Sequence, residues 1–346
     1  MTGRVANSPK WYGRAGAAAA VALLLLGGYK LWSMWMSREP AWPPAVTRVD
    51  TLSSGDHTLQ PAMFYAPPAS SPASARPLLV ALHTWGSGYD QADSIAYADW
   101  CIAHGWVFVH PHFRGANDQP AAMGSELVVA DLLGAVDYAK QHANVDPARI
   151  YLIGESGGGH AALLMAGRAP QRWAGVSAWA APVDMIAFHA ESRARGLRFA
   201  AQIERACGGE PLAGSTAAAE CSKRSAHTYL PAARDVPIDL NAGIRDGHEG
   251  FGSVAIRHSL NAFNLLADPL DRFSAAEIEA MVRQALVPAP LTFTGTDPLY
   301  GASRVLLRRQ SHHVRLTLFD GGHQRITEAG LAWLSALPAR QTAVTN

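Results

Sequence analysis

The chain has 346 residues, 29 Lys+Arg against 28 Asp+Glu, 49% apolar residues and only 16% charged ones. That length and apolar content suit one large α/β domain or two small ones with a substantial core, and exclude a disordered or collagen-like chain. The balanced charge argues against a nucleic-acid partner, which needs a basic face, and three cysteines are too few for a disulfide scaffold.

Arg4, Lys10 and Arg14 precede an apolar run from Ala15 to Tyr29, and after Lys30 the run continues to Met36. Fifteen helical residues span about 22 Å, short of a hydrocarbon core of ~30 Å, whereas continuing to Met36 gives about 33 Å. Lys30 could snorkel to the headgroups, and Trp32 and Trp35 suit the interface. The expectation is an uncleaved anchor over residues 1–38 with the rest of the chain exported, periplasmic or extracellular. A cleaved signal peptide is the rival reading, although bulky residues (YKLWSMWM) occupy the place of a cleavage site. Residues 39–56 then read as a proline-rich linker, stiff and extended through EPAWPPAV.

From residue 57 to 346, short β-rich runs alternate with helical stretches. Strands are predicted at Leu59–Tyr65, Leu78–His83, Trp106–Pro111, Ile150–Gly154, Gly175–Ala181, Ile238–Ile244 and Val314–Phe319. Several are continuous apolar runs (LLVALH, WVFVHP, IYLIG), the pattern of strands covered by helices on both faces. Helices are predicted at Glu126–Gln141, Gly158–Gly167, Val254–Leu266 and Arg325–Leu337. Such alternation indicates one doubly wound, mostly parallel sheet. Residues 183–235 interrupt it with a long, polar, irregular stretch, read as a cap-like insertion over the sheet. Cys207 and Cys221 lie inside the insertion, and an oxidising compartment would let them pair; two free buried thiols are the alternative.

The sharpest chemical signal is Gly154-Glu155-Ser156-Gly157-Gly158, between a predicted strand and a predicted helix. A nucleophilic serine on so tight a turn needs neighbours without side chains, and the helix N-terminus aims N–H groups at developing negative charge. A serine needs a base and the base an orienting acid, in the chain order Ser, Asp/Glu, His. The last predicted strand runs into Asp320-Gly321-Gly322-His323, which makes His323 the base. The preceding strand runs into Arg245-Asp246-Gly247-His248-Glu249, which makes Asp246 the acid with Glu249 as runner-up. The backbone N–H of Gly157 and that of Trp85, with Thr84 as alternative to Trp85, are the expected oxyanion donors. Arg114 and His160 are candidate substrate-binding residues, each with a bland rival: a loop salt bridge and core packing. His110-Pro111-His112 has no carboxylate or cysteine at metal-site spacing, so neither a metal nor another cofactor is expected.

Together LLVALHTWGSG, HPHFRGAND, VDPARIYLIGESGGGHAALLMAGR, RDGHEGFGSVAIRHSLNAFN and LFDGGHQ resemble the α/β-hydrolase catalytic domain of the prolyl-oligopeptidase-like serine hydrolases, from about Leu78 to Leu337. The resemblance implies an α/β-hydrolase fold with Ser156, Asp246 and His323 as nucleophile, acid and base. Peptidases of that family carry a β-propeller ahead of the catalytic domain, and the forty or so residues between the apolar run and the first core strand cannot hold one. The chain is therefore more similar to the family's free-standing esterases. The expected activity is cleavage of a carboxylic ester, on a small molecule, glycan or peptide, through an acyl-enzyme. A peptidase acting on short peptides is the alternative, and it asks for a carboxylate in the cap to read a peptide N-terminus, such as Glu191 or Glu204. A catalytically dead binding module is the third reading.

Overall fold

The computed structural model describes Gly3 and residues 41–68 and 75–340. The membrane segment expected at 1–38 lies outside them, Gly3 apart, and no helix of the described residues is long and apolar enough to cross a membrane. The body that carries the site begins at Pro43.

Nine strands form one sheet: β1 Thr47–Leu52, β2 Leu59–Tyr65, β3 Arg76–Leu82, β4 Val107–Pro111, β5 Val145–Glu155, β6 Gly175–Trp179, β7 Ile238–Gly243, β8 Val305–Ser311 and β9 Val314–Phe319. Their order is β1-β2-β4-β3-β5-β6-β7-β9-β8. The six strands from β4 to β9 run parallel, and an antiparallel flank closes each side. In β4 and β6 every residue is buried, as expected of strands covered on both faces. The carboxyl ends of β5, β7 and β9 consequently share one edge of the sheet, where open α/β sheets place their ligands.

Helices cover the faces: α1 Ile95–His104, α2 Glu126–His142 and α3 Gly157–Arg168 in the first half. Helix α3 is buried from Gly157 to Gly167, so it forms the spine of the core. The stretch 183–235 is not irregular, as its polarity suggested, but folds into four helices: α4 Met185–Ala194, α5 Phe199–Cys207, α6 Thr216–Arg224 and α7 Ala226–Tyr229. Local signals account for them. Asp184 accepts from the N–H groups of Ile186 and Ala187 to cap α4, and Ser215 accepts from that of Ala218 to cap α6. In α5 and α6 much of the buried face is alanine (Ala200, Ala206, Ala217, Ala218), beside the single large apolar residue Ile203. Cys207 and Cys221 are joined by a disulfide that ties the end of α5 to α6. Helices α8 Arg257–Leu266, α9 Ala275–Gln284 and α10 Thr327–Ser335 complete the layers.

Two edge strands depart from the expectation. Strand β1 lies inside the stretch read as linker (39–56), and β8 went unpredicted. In β1 only Thr51 is buried, and Arg308 and Arg309 break the apolar run of β8. Edge strands like these lack the continuous pattern by which inner strands are recognised.

Candidate active site

At the edge where β5 meets α3, Ser156 holds φ 56° and ψ −119°. A non-glycine residue there carries strain of roughly 1–3 kcal/mol, which the surroundings must impose. They do so through backbone bonds: the Ser156 N–H donates to the Trp179 carbonyl (2.8 Å), and the Ser156 carbonyl accepts from the N–H of His160 (2.9 Å). The flanking glycines are there for space. A Cβ on Gly154 would stand 2.4 Å from the Gly158 carbonyl carbon, and one on Gly158 would stand 2.3 Å from the Leu82 carbonyl oxygen. Ser156 is mostly enclosed, at 9% exposure.

The candidate acid and base follow β7 and β9, beyond β6 along the same edge. Asp246 follows β7 and His323 follows β9, and His323 Nδ1 lies 2.7 Å from Asp246 Oδ2. The other carboxylate oxygen accepts from the N–H of Val254 (3.1 Å). Of the two carboxylates left open by the sequence, Asp246 is buried against the ring and Glu249 is exposed. The extra residues between Asp246 and α8 wrap the pair, since the His323 N–H donates to the Phe251 carbonyl (2.7 Å). Gly252, at φ 144°, passes so close that a Cβ would be 2.2 Å from Asp246 Oδ1. Arg195, just beyond α4, holds this loop by donating to the carbonyls of Gly252 (2.7 Å) and Ser253 (3.1 Å). Burial works against a charged His323, but its bond to Asp246 and the nearby negative charge outweigh that and raise its pKa above the ordinary histidine value.

A second clamp was not foreseen. Arg325 pairs with Glu155 and bonds the Asp93 carbonyl. Glu155 precedes Ser156 by one residue and Arg325 follows His323 by two, so this ion pair ties the turn of Ser156 to the loop of His323.

Trp85 comes up against the other side of the elbow. A Cβ on Gly157 would stand 2.7 Å from the Trp85 nitrogen and 2.6 Å from its Cα, so the backbone N–H groups of the two residues are neighbours. The N–H of Thr84, the alternative donor, is already given to Gln91 Oε1 (2.8 Å). The indole of Trp85 is buried under the cap: its Nε1–H donates to Gln202 (3.0 Å), and Phe188 and Phe199 meet it edge-on at 5.5 and 5.7 Å.

Arg114 and His160 fit their bland readings rather than contact with substrate. The Arg114 guanidinium is committed to Asp131, Asp56 and Ser53 at 2.7–3.1 Å, which pins the loop after β4 to α2 and to the turn between β1 and β2. His160 sits inside α3 at 1% exposure, and burial pushes its ring down to about 4. In the His-x-His segment, His110 is buried and bonds the Ala81 carbonyl (2.7 Å). Among the described residues the group able to hold a metal ion is Asp235 with His312 and His313, exposed at the opposite edge of the sheet.

Residues 91–213, which include the elbow and much of the cap, match the model of the prolyl oligopeptidase family. No curated protein matches. Among solved structures the chain is similar to oligopeptidase B from Leishmania major (12% identity, TM-score 0.53, 84% of this chain and 35% of that one). The acylaminoacyl peptidase of Pyrococcus horikoshii (14% identity, TM-score 0.51) aligns over 64% of this chain and 34% of its own. Prolyl oligopeptidase B from Galerina marginata (15% identity, TM-score 0.50) aligns over 64% and 31%. The chain thus spans about a third of the length of the peptidases it matches. The family match over residues 91–213 and the shared fold make this domain similar to the α/β-hydrolase catalytic domain of the prolyl-oligopeptidase-like serine hydrolases.

Proposed function

We propose that the protein cleaves short peptides through an acyl-enzyme, with Ser156 as nucleophile, His323 as base and Asp246 as the group that orients it. The observation carrying this is the Asp246–His323 contact at the sheet edge to which β5 delivers the strained Ser156. The family match and the peptidase neighbours support a peptide substrate. Ser156 Oγ adds to the carbonyl carbon as His323 Nε2 takes its proton, and the N–H groups of Gly157 and Trp85 receive the oxyanion. The imidazolium returns the proton to the leaving amine, and water activated by His323 then releases the acid.

Glu191 and Glu204, the carboxylates considered for reading a peptide's free N-terminus, each face a basic side chain of the protein itself. Glu191 stands 3.3 Å from His258 and 3.6 Å from Arg257, and Glu204 meets His189 at 2.8 Å. This favours substrates without a free amine at that point: N-blocked peptides or, as the second reading, carboxylic esters. The disulfide supports work in an oxidising compartment, and the apolar run within 1–38 is proposed to take the domain there as an anchor or signal.

The test compares the full chain with Ser156→Ala on N-blocked and free peptide p-nitroanilides and on short-chain p-nitrophenyl esters. Anilide turnover lost in the variant, with blocked peptides preferred, is the expected result. Ester turnover alone would move the assignment to the esterases. No reaction with a fluorophosphonate probe would overturn both.

A further inference from the structure

Asn117 lies in the loop after β4 that Arg114 pins at one end, and it is 2% exposed. Its backbone N–H donates to the Trp85 carbonyl (2.8 Å), which fastens it to the residue already placed beside Gly157. Its side-chain Oδ1 accepts from the N–H of Met123 (2.9 Å), and this fixes which way the amide faces. The amide nitrogen, Nδ2, is buried and has no hydrogen-bond partner. It stands 2.7 Å from where a Cβ on Gly157 would lie, as far from that point as the Trp85 nitrogen. A buried NH₂ without a partner costs roughly 1–3 kcal/mol, so a fold that holds one in a fixed orientation is storing a donor.

The loop is built to hold it. Phe113, Arg114 and Met123 all take positive φ (28°, 74° and 49°). Arg224, buried at the end of α6, donates to the carbonyls of Ala122 (2.7 Å) and Pro120 (2.9 Å). The cap on one side, and α2 with the turn after β1 on the other, thus grip the same short segment. Strain maintained by buried arginines beside a nucleophile is the arrangement expected where a donor must be aimed before the charge it serves exists.

We propose that the Asn117 side-chain amide is a third donor to the oxyanion, beside the N–H groups of Gly157 and Trp85. This rests on the acyl-enzyme reading above. It also accounts for Gly157 itself, since any side chain there would fill the space between the donors.

The test uses the full chain carrying Asn117→Ala or Asn117→Asp. Asn117→Asp keeps the shape and the Met123 contact but puts an acceptor in place of the NH₂. The substrate is p-nitrophenyl acetate and the inhibitor an aryl trifluoromethyl ketone. In the inhibited enzyme Ser156 Oγ bonds to the ketone carbon, the C=O π pair becomes an alkoxide, and the serine proton passes to His323. Loss of one donor should lower kcat by about 10²–10³ with KM within threefold, and weaken the ketone by a similar factor. The thermal midpoint and the final extent of fluorophosphonate labelling should stay near wild type. A kcat within threefold of wild type, or ketone affinity unchanged while kcat falls, would overturn the proposal. So would losses in both variants that merely track loss of folded protein. Wild-type protein that fails to label removes the acyl-enzyme reading, and this inference with it.

Discussion

In the proposed mechanism the Asp246–His323 contact is where one pair of atoms governs both rate and stability. The base must be neutral to accept a proton, and Asp246 raises the pKa of His323, so the acid limb of kcat/KM should fall above pH 6.5. Asp246→Asn removes the charge and leaves the burial, which lowers the pKa. The limb should then move below pH 6.5, with kcat down by about 10⁴, the loss known for that change in the trypsin-type triad. The sign for stability follows from the same shift. A histidine with a raised folded-state pKa contributes fully below the unfolded value and loses that contribution as pH rises through the folded one. Asp246→Asn should therefore destabilise more at pH 6 than at pH 9, as urea titrations at the two pH values would reveal; an equal effect would mean that the charge pairing contributes nothing. The three side chains of the proposed triad were readable because each must follow a strand, and apolar runs mark strands. The partners of Arg114 were not readable, because Asp56 and Asp131 lie 58 and 17 residues away in sequence. Nor was Asn117, whose orphaned amide only the packed loop exposes.

Between elements, the disulfide is the main covalent feature of the cap. It closes a sequence separation of 14 residues between α5 and α6, and on the chain-entropy model such a loop contributes about 3 kcal/mol. The Cys207→Ala, Cys221→Ala double variant should lose about that much, with amide protection falling most in α5 and α6 and least in β5. Uniform loss across the sheet would show that the cap and sheet unfold as one unit. Both outcomes matter for the site, because the core of the cap contains Trp85 together with Phe188 and Ile203. The inner strands and α3 could be read from sequence because burial on both faces forces continuous apolar runs. The cap's helices could not: they are short, and they begin at capping residues such as Asp184 and Ser215 that resemble loop composition.

For the whole molecule, the decisive variable is acid. His83, His110 and His160 are 0–1% exposed, and burial holds them neutral with pKa values pushed down to about 4, about 3 and about 4. In the unfolded chain each would titrate near 6.5. Below that value the unfolded state binds protons that the folded state refuses, so stability falls as pH falls, by about 1.4 kcal/mol per unit for each ring. Three rings together give about 4 kcal/mol per unit between pH 6.5 and 4. His323 adds no slope there, since it is charged in both states below 6.5. A domain holds only about 5–15 kcal/mol in total, so a drop of about 1.5–2.5 pH units, which removes about 6–10 kcal/mol, suffices to unfold one of ordinary stability. The protein should thus lose its fold between about pH 5 and pH 4, while carboxylates such as Asp56, whose pKa Arg114 holds low, are only starting to contribute. Urea midpoints at half-unit steps from pH 7 to 4.5 measure the slope. His160→Gln, which cannot titrate, should reduce it by about a third. A slope unchanged in that variant would mean that His160 is not among the groups that couple acid to unfolding, and a flat wild-type profile would mean that the buried rings take up protons without leaving the core.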